Sequence, residues 1–196
     1  MDLLLASTSP RRRDLLAAAG LRFELCEPGP EYVQGGDHDH GERGEPRELA
    51  RQRARRKALG APGSHRAPVL GVDTVVDLDG IELGKPRDRE QAEEMLRALA
   101  GRRHLVHTAH CLRAPDGDLV GEQLATSTVS CRAPTQAELE RYLDSGQWRG
   151  KAGGYGIQDD AQAFLTLVDG AFDTVVGLHV DAVRALLANW SSRESS

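Results

Sequence analysis

Cysteine is scarce and scattered: Cys26, Cys111 and Cys131 lie far apart with no CxxC pair. A disulfide framework and a zinc site of the usual spacing are both excluded, and a reducing compartment fits best. Aromatic residues make up only 4% of the chain, so the core must be packed by Leu, Val and Ala. No apolar run approaches the length that spans a bilayer, and no membrane partner is expected. There is no excess of basic charge. The formal net charge is −5, which argues against a nucleic acid polymer as partner while leaving room for local basic patches that hold a small phosphorylated ligand. The chain lacks a G-x-S-x-G elbow, and no Cys or Ser is placed beside a His by local spacing, so nucleophilic catalysis has little support. No internal repeat and no basic-then-apolar leader is found, and a cytoplasmic protein is expected.

What is present is a soluble globular composition, 39% hydrophobic and 28% charged over 196 residues. That length suits a single domain, drawn here over residues 1–188 with a flexible tail at 189–196. The order of elements reads strand (from Leu3), helix (from Pro10), strand (Arg22 to Cys26) and then a Pro/Gly/Asp/His-rich loop from Glu27 to Pro46. A helix from Pro46 to Leu59 carries a thin apolar stripe at Leu49, Ala50, Ala54 and Ala58, and its basic side faces phosphate or water. An apolar strand at Val69 to Val76 meets an Asp79-Gly80 hairpin turn into Ile81 to Lys85. A helix from Asp88 to Leu99 places Ala92, Met95, Leu96 and Leu99 inward. Two long strands, His104 to Ala114 and Leu119 to Arg132, pair as an antiparallel arm. Thr135 and Glu138 form a capping-box pattern for a helix through Leu143. A glycine-rich stretch from Gly150 to Gln158, a strand at Ala163 to Val168 and a helix at Val180 to Ala188 complete the chain. The fold class is therefore α/β, a mixed twisted sheet with flanking helices and a long antiparallel hairpin.

Chemistry is signalled first at Ser7-Thr8-Ser9-Pro10-Arg11-Arg12-Arg13. Ser9 suits an N-cap and Pro10 the first helical position. Three arginines in a first turn oppose the helix dipole, which makes sense if an anion lies over the N–H groups and the arginines together. Asp73 interrupts an apolar strand, where an unpaired carboxylate is costly, so it needs a cation, a metal or a catalytic task. Thr74 points to the opposite face. With an ideal two-residue turn, Lys85 falls opposite Thr74 and Asp73 opposite Pro86. The run Gly150-Lys151-Ala152-Gly153-Gly154-Tyr155-Gly156 is neither a Walker A nor a Rossmann fingerprint, and its glycines permit close backbone approach. Asp37-His38-Asp39-His40 reads as solvated loop polarity rather than a metal site. These residues suit a metal-assisted displacement at phosphorus: Asp73 and Glu31 hold a hard divalent cation, while Arg12 and Lys85 neutralise a polyphosphate.

Five segments, Ser7 to Leu16, Gly71 to Val76, Gly84 to Asp88, Leu99 to His104 and Lys151 to Gln158, occur in the order and spacing of the Maf family of nucleoside triphosphate pyrophosphatases, which the chain resembles over nearly its whole length. The resemblance implies an inosine-triphosphatase-like fold and hydrolysis of a nucleoside triphosphate to monophosphate and pyrophosphate with Mg²⁺, Mn²⁺ or Co²⁺. It also implies a homodimer. Asp73 matches the proton acceptor. Arg11, Thr74 and Gln158 match base-selecting positions in a combination similar to the dTTP/UTP branch. Ser7, Ser9, Arg12, Arg53 and Lys85 match phosphate-binding positions, and Glu31, with Asp73, a metal-linked one. Two other readings remain: the same chemistry on a modified purine or other non-standard nucleotide, or a nucleotide-binding regulator of septum formation with little turnover. The chain departs from the pattern at Arg53, usually lysine, at Tyr32 after the acidic residue, at Asp159-Asp160, usually Gly-Leu, at Asp173-Thr174, usually Ser-Asn, and at His179, usually proline.

Overall fold

The structure is a computed structural model that describes residues 3–30, 44–63 and 66–194. Strand β1 (Leu3–Ala6) leads into helix α1 (Pro10–Ala18), and β2 (Phe23–Cys26) returns beside β1 in parallel. Helix α2 (Pro46–Leu59) is followed by β3 (Val69–Leu78), β4 (Ile81–Leu83), α3 (Arg89–Leu99), and the two long strands β5 (Arg102–Arg113) and β6 (Leu119–Cys131). Helix α4 (Gln136–Ser145), two short 3₁₀ turns, β7 (Leu165–Asp169), α5 (Phe172–Val176) and α6 (Val180–Glu194) end the described chain. The sheet runs β2-β1-β3-β5-β6-β7, with β4 added to β3. The β1–β2 and β1–β3 pairings are parallel and the others antiparallel, so the sheet is mixed, as the alternating early elements and later hairpins imply.

Local chemistry sets these elements. Asp79 and Gly80 both take positive φ, 54° and 81°, the two-residue hairpin turn whose twist matches paired strands. Leu78 consequently faces Ile81, and pairing stops at Val76 with Leu83, so β4 is shorter than the expected Ile81 to Lys85. Asp88 caps α3 by accepting a hydrogen bond from the Gln91 N–H at 2.8 Å. Thr135 and Glu138 close the expected capping box on α4. Ser9 stands at the N-cap of α1 with Pro10 after it, but its side chain makes no capping bond; its own N–H instead donates to Ser7 Oγ at 3.2 Å. Helix α6 continues six residues past the expected end at Ala188, so residues 189–194 are helical where a loose tail was expected. Among the inward positions of α3, Ala92, Leu96 and Leu99 are buried and Met95 is half-buried.

The layer that matters for the site is α2 on β3. The buried stripe of α2 is Pro46, Leu49, Ala50, Arg53, Ala54, Lys57 and Ala58, so two cations ride on the apolar face of the helix. At Gly71 a Cβ would lie 2.2 Å from the Ala54 carbonyl oxygen and 2.5 Å from the Ala58 nitrogen. Only glycine lets the helix backbone come this close to the strand. Ala50, Ala54 and Ala58 then pack with Val75, Ala109 and Cys111 on this face of the sheet. On the other face, Val76, Leu96, Leu99, Val106, Val129 and Tyr142 belong to the largest cluster, and Leu70, Val72, Leu112 and Leu186 to a second.

Candidate active site

One edge of β3 is paired with β5 from Val69 to Asp77. The other edge is shared: β1 pairs at Val69 to Gly71 and β4 at Val76 to Leu78. Between them, at Val72 to Val75, no strand among the described residues closes the sheet. Because β1 runs parallel to β3 and β4 antiparallel, both chain ends head into this gap, delivering Ser7 from one side and Lys85 from the other. A cleft of about 570 Å³ opens there, and Ser7, Ser9, Arg11, Arg12, Asp73, Thr74, Lys85 and Gln158 all line it. Lys57, Arg149 and Lys151 line it too.

Successive residues of a strand face opposite ways, so Asp73 and Thr74 enter the cleft from the two faces of the sheet. Asp73, only 4% exposed, accepts a hydrogen bond on Oδ1 from Lys57 Nζ at 2.6 Å, while its Oδ2 is buried with no hydrogen-bond partner among the described residues. The close approach at Gly71, two residues earlier on the same face, is what brings Lys57 within reach. On the opposite face Arg12 donates from Nε to the Gly177 carbonyl at 2.8 Å, from Nη1 to Ser7 Oγ at 3.1 Å and from Nη2 to Thr74 Oγ1 at 3.2 Å. Thr108 donates to the Thr174 carbonyl at 2.8 Å, so in its 3.0 Å contact with Thr74 it is the acceptor. Arg12 therefore donates to Thr74, Thr74 to Thr108, and Thr108 to the Thr174 carbonyl. These bonds tie the Thr74 hydroxyl to Arg12 while Thr74 remains part of the cleft lining.

Arg11 reaches the Gly150 carbonyl at 3.4 Å, and burial pulls its proton affinity down from the ordinary arginine value. Burial and then the Arg11 guanidinium lower the Lys151 ammonium to about 8. Gln158 is exposed at the cleft. Arg53 is not brought to the lining. It is buried in α2 and its guanidinium forks onto Glu82 of β4, with Nη2 to Oε2 at 2.9 Å. Glu31 and the Asp37-His38-Asp39-His40 run lie outside the described residues. Burial lifts the thiols of Cys111 and Cys131 to about 12 and about 11, which leaves them inert, as the absence of a nucleophile motif implies.

Lys57 is the site residue that sequence reasoning missed. Its signal was there: positions 49, 50, 53, 54, 57 and 58 follow helical i, i+3, i+4 spacing, which puts Lys57 on the apolar stripe and away from the basic side of α2. A lysine on a buried stripe demands an anion.

The model of the Maf-like protein family matches residues 2–190. The chain belongs to the Maf-like family. It is 46% identical over 185 residues to a dTTP/UTP pyrophosphatase of Thermus thermophilus, covering 94% of this chain and 92% of that one. It is 41% identical over 187 residues to a dTTP/UTP pyrophosphatase of Hyphomonas neptunium, covering 94% and 93%. Among solved structures, a nucleoside-triphosphatase / dITP/XTP pyrophosphatase from Mycobacterium abscessus aligns over 100% of this chain and 97% of its own, at 17% identity and a TM-score of 0.41. Within the Maf-like frame two of the departures noted in the sequence, Asp173 and His179, are partners of one another. Asp173 accepts from His179 Nδ1 at 3.0 Å and from the Val180 N–H at 2.8 Å, tying off the turn whose Gly177 carbonyl holds Arg12. Asp159 pairs with Lys151, and Asp160 with Gln147, whose Nε2 donates to its carboxylate at 3.1 Å.

Proposed function

We propose that this Maf-like chain hydrolyses a pyrimidine nucleoside triphosphate, dTTP or UTP, to the nucleoside monophosphate and pyrophosphate. The observation that carries the reading is the state of Asp73: a buried carboxylate with one oxygen held by Lys57 and the other without a partner among the described residues, in a cleft ringed by Arg11, Arg12, Lys85 and Lys151. The dTTP/UTP pyrophosphatase names of its relatives supply the substrate class. Oδ2 takes a proton from water as the water oxygen attacks the α-phosphorus; the bond from that phosphorus to the bridging oxygen breaks and pyrophosphate leaves. Arg12, Lys85 and the N–H groups at the start of α1 hold the triphosphate, and such preorganised donors supply most of the rate. Gln158 reads the base, because a primary amide donates and accepts side by side.

A hard divalent cation fits the donor set. Asp73 would hold such an ion through a lone pair of its buried carboxylate other than the one that takes the proton, since an ion of the Mg²⁺ kind is bound by one or two carboxylates together with substrate phosphates. Glu31 is the second carboxylate proposed. When bound, the ion supplies neutralisation of charge on the phosphates. Arg53 acts from outside the lining, holding β4 through Glu82 and so the approach of Lys85. The enzyme is proposed to work in the cytoplasm as a homodimer that pairs through its β5–β6 arm. Among the described residues no helix is long and apolar enough to cross a membrane.

A panel of nucleoside triphosphates with pyrophosphate detection tests the proposal. Turnover of dTTP and UTP in Mg²⁺, Mn²⁺ or Co²⁺, abolished by EDTA, is expected. Turnover of 7-methyl-GTP or ITP alone overturns the pyrimidine assignment, and nucleotide binding without turnover of any triphosphate points to the regulatory reading.

A further inference from the structure

The Asp159 carboxylate is an anion beside a cleft built for anions. It contacts the Lys151 ammonium, a cleft-lining cation; the two side chains are 17% and 12% exposed. The contact is built into the backbone. The Asp159 N–H donates to the Gly156 carbonyl at 3.0 Å, turning the chain back on itself, and a Cβ at residue 156 would lie 2.3 Å from Asp159 Oδ2. The carboxylate thus occupies the space that any side chain at position 156 would need. Gln158 Nε2 lies 3.0 Å from the same point, so the amide and the carboxylate crowd together over Gly156. Asp160 takes no part, being tied to Gln147 on the outer side.

We propose that Asp159 is a positioning residue that acts through Lys151 as an internal counter-anion, occupying that cation until a polyphosphate displaces it. The inference rests on the reading that the cleft takes a triphosphate. Its consequence is selectivity: a ligand that offers phosphates but no base must break the Lys151–Asp159 pair with nothing gained at Gln158. A nucleoside triphosphate makes up the loss through its base. Removing the carboxylate removes the anion that competes for this cation, and attraction for every polyanion rises by an amount that salt screens.

Inorganic tripolyphosphate is the probe, because it carries the phosphates without a base and its binding needs no turnover. Its affinity is measured by calorimetry on the full chain without added divalent cation, in about 50 mM and about 500 mM salt, with unfolding temperatures recorded alongside. Asp159→Asn is expected to bind tripolyphosphate about fivefold more tightly than the parent at low salt, the gain shrinking at high salt. Asp159→Glu restores parental affinity, and Lys151→Met/Asp159→Asn shows no gain over Lys151→Met. Should the Asn variant fold poorly, Asp159→Gly serves in its place. Equal or weaker binding by a folded variant, or a gain that survives loss of Lys151, overturns the proposal. A protein that binds tripolyphosphate as described yet hydrolyses no triphosphate leaves this inference standing and removes only the enzymatic reading.

Discussion

Asp73 and Lys57 are each destabilising alone, because a buried charge deprived of its partner keeps the cost of desolvation without the attraction that offsets it. Lys57→Met should therefore destabilise the fold by about 3–5 kcal/mol, read as a lowered denaturation midpoint. Combining it with Asp73→Asn should return a large part of that loss. If the double variant is no more stable than Lys57→Met, the pair is not the unit described. Asp73→Asn by itself should lower kcat by about 10²–10⁴-fold, the usual share of a positioned base. Sequence reasoning reached Asp73 because a carboxylate in an apolar strand is anomalous at one glance. Lys57 and the Glu82 partner of Arg53 stayed hidden because each pairing joins a helix to a strand far along the chain, and no local spacing records it. Thr74 was placed correctly on the opposite face, but its hydrogen bonds to Arg12 and Thr108 depend on tertiary neighbours.

The close seating of α2 on β3 is an element-scale device that depends on one missing methyl. Gly71→Ala would place a Cβ against the Ala54 carbonyl, and overpacking of this kind costs about 1–3 kcal/mol. Helix α2 must lift, and Lys57 lifts with it. Gly71→Ala should thus lower kcat as well as stability, whereas a cavity variant on the other face of the sheet, Leu186→Ala, should lower stability with kcat largely kept. Equal kcat in both would separate helix seating from catalysis. Elements framed by local chemistry were legible: the Asp79-Gly80 turn, the Thr135 capping box and the β5–β6 arm all stand where the sequence implies. The short helix α5 and the last turns of α6 were not. At Phe172–Val176 only Thr174 is buried, and no apolar period marks the helix; it is held instead by the ties of Asp173 to His179 and the Val180 N–H.

At the scale of the whole molecule, two buried histidines couple stability to pH. Burial pushes His104 down to about 4, and burial followed by the Arg12 charge pushes His110 to about 3, from an ordinary 6.5. Between those values and 6.5 the unfolded chain binds protons that the folded one refuses, so these groups add stability above pH 6.5 that is lost as the pH falls towards 4 and then 3. Unfolding temperature should fall with acidification through this window, and His104→Gln should flatten part of the slope; a rising temperature would contradict the assignment. The opening in the sheet beside β3 also has a history in time. Its β4 side is made by a two-residue turn, a contact among the fastest a chain can form, whereas its β1 side must be brought from the far N-terminus. Pairing across long stretches of chain is slow. On refolding from denaturant, strand signal in circular dichroism should therefore recover ahead of hydrolysis, and covalently tethering β1 to β3 should close the interval between them.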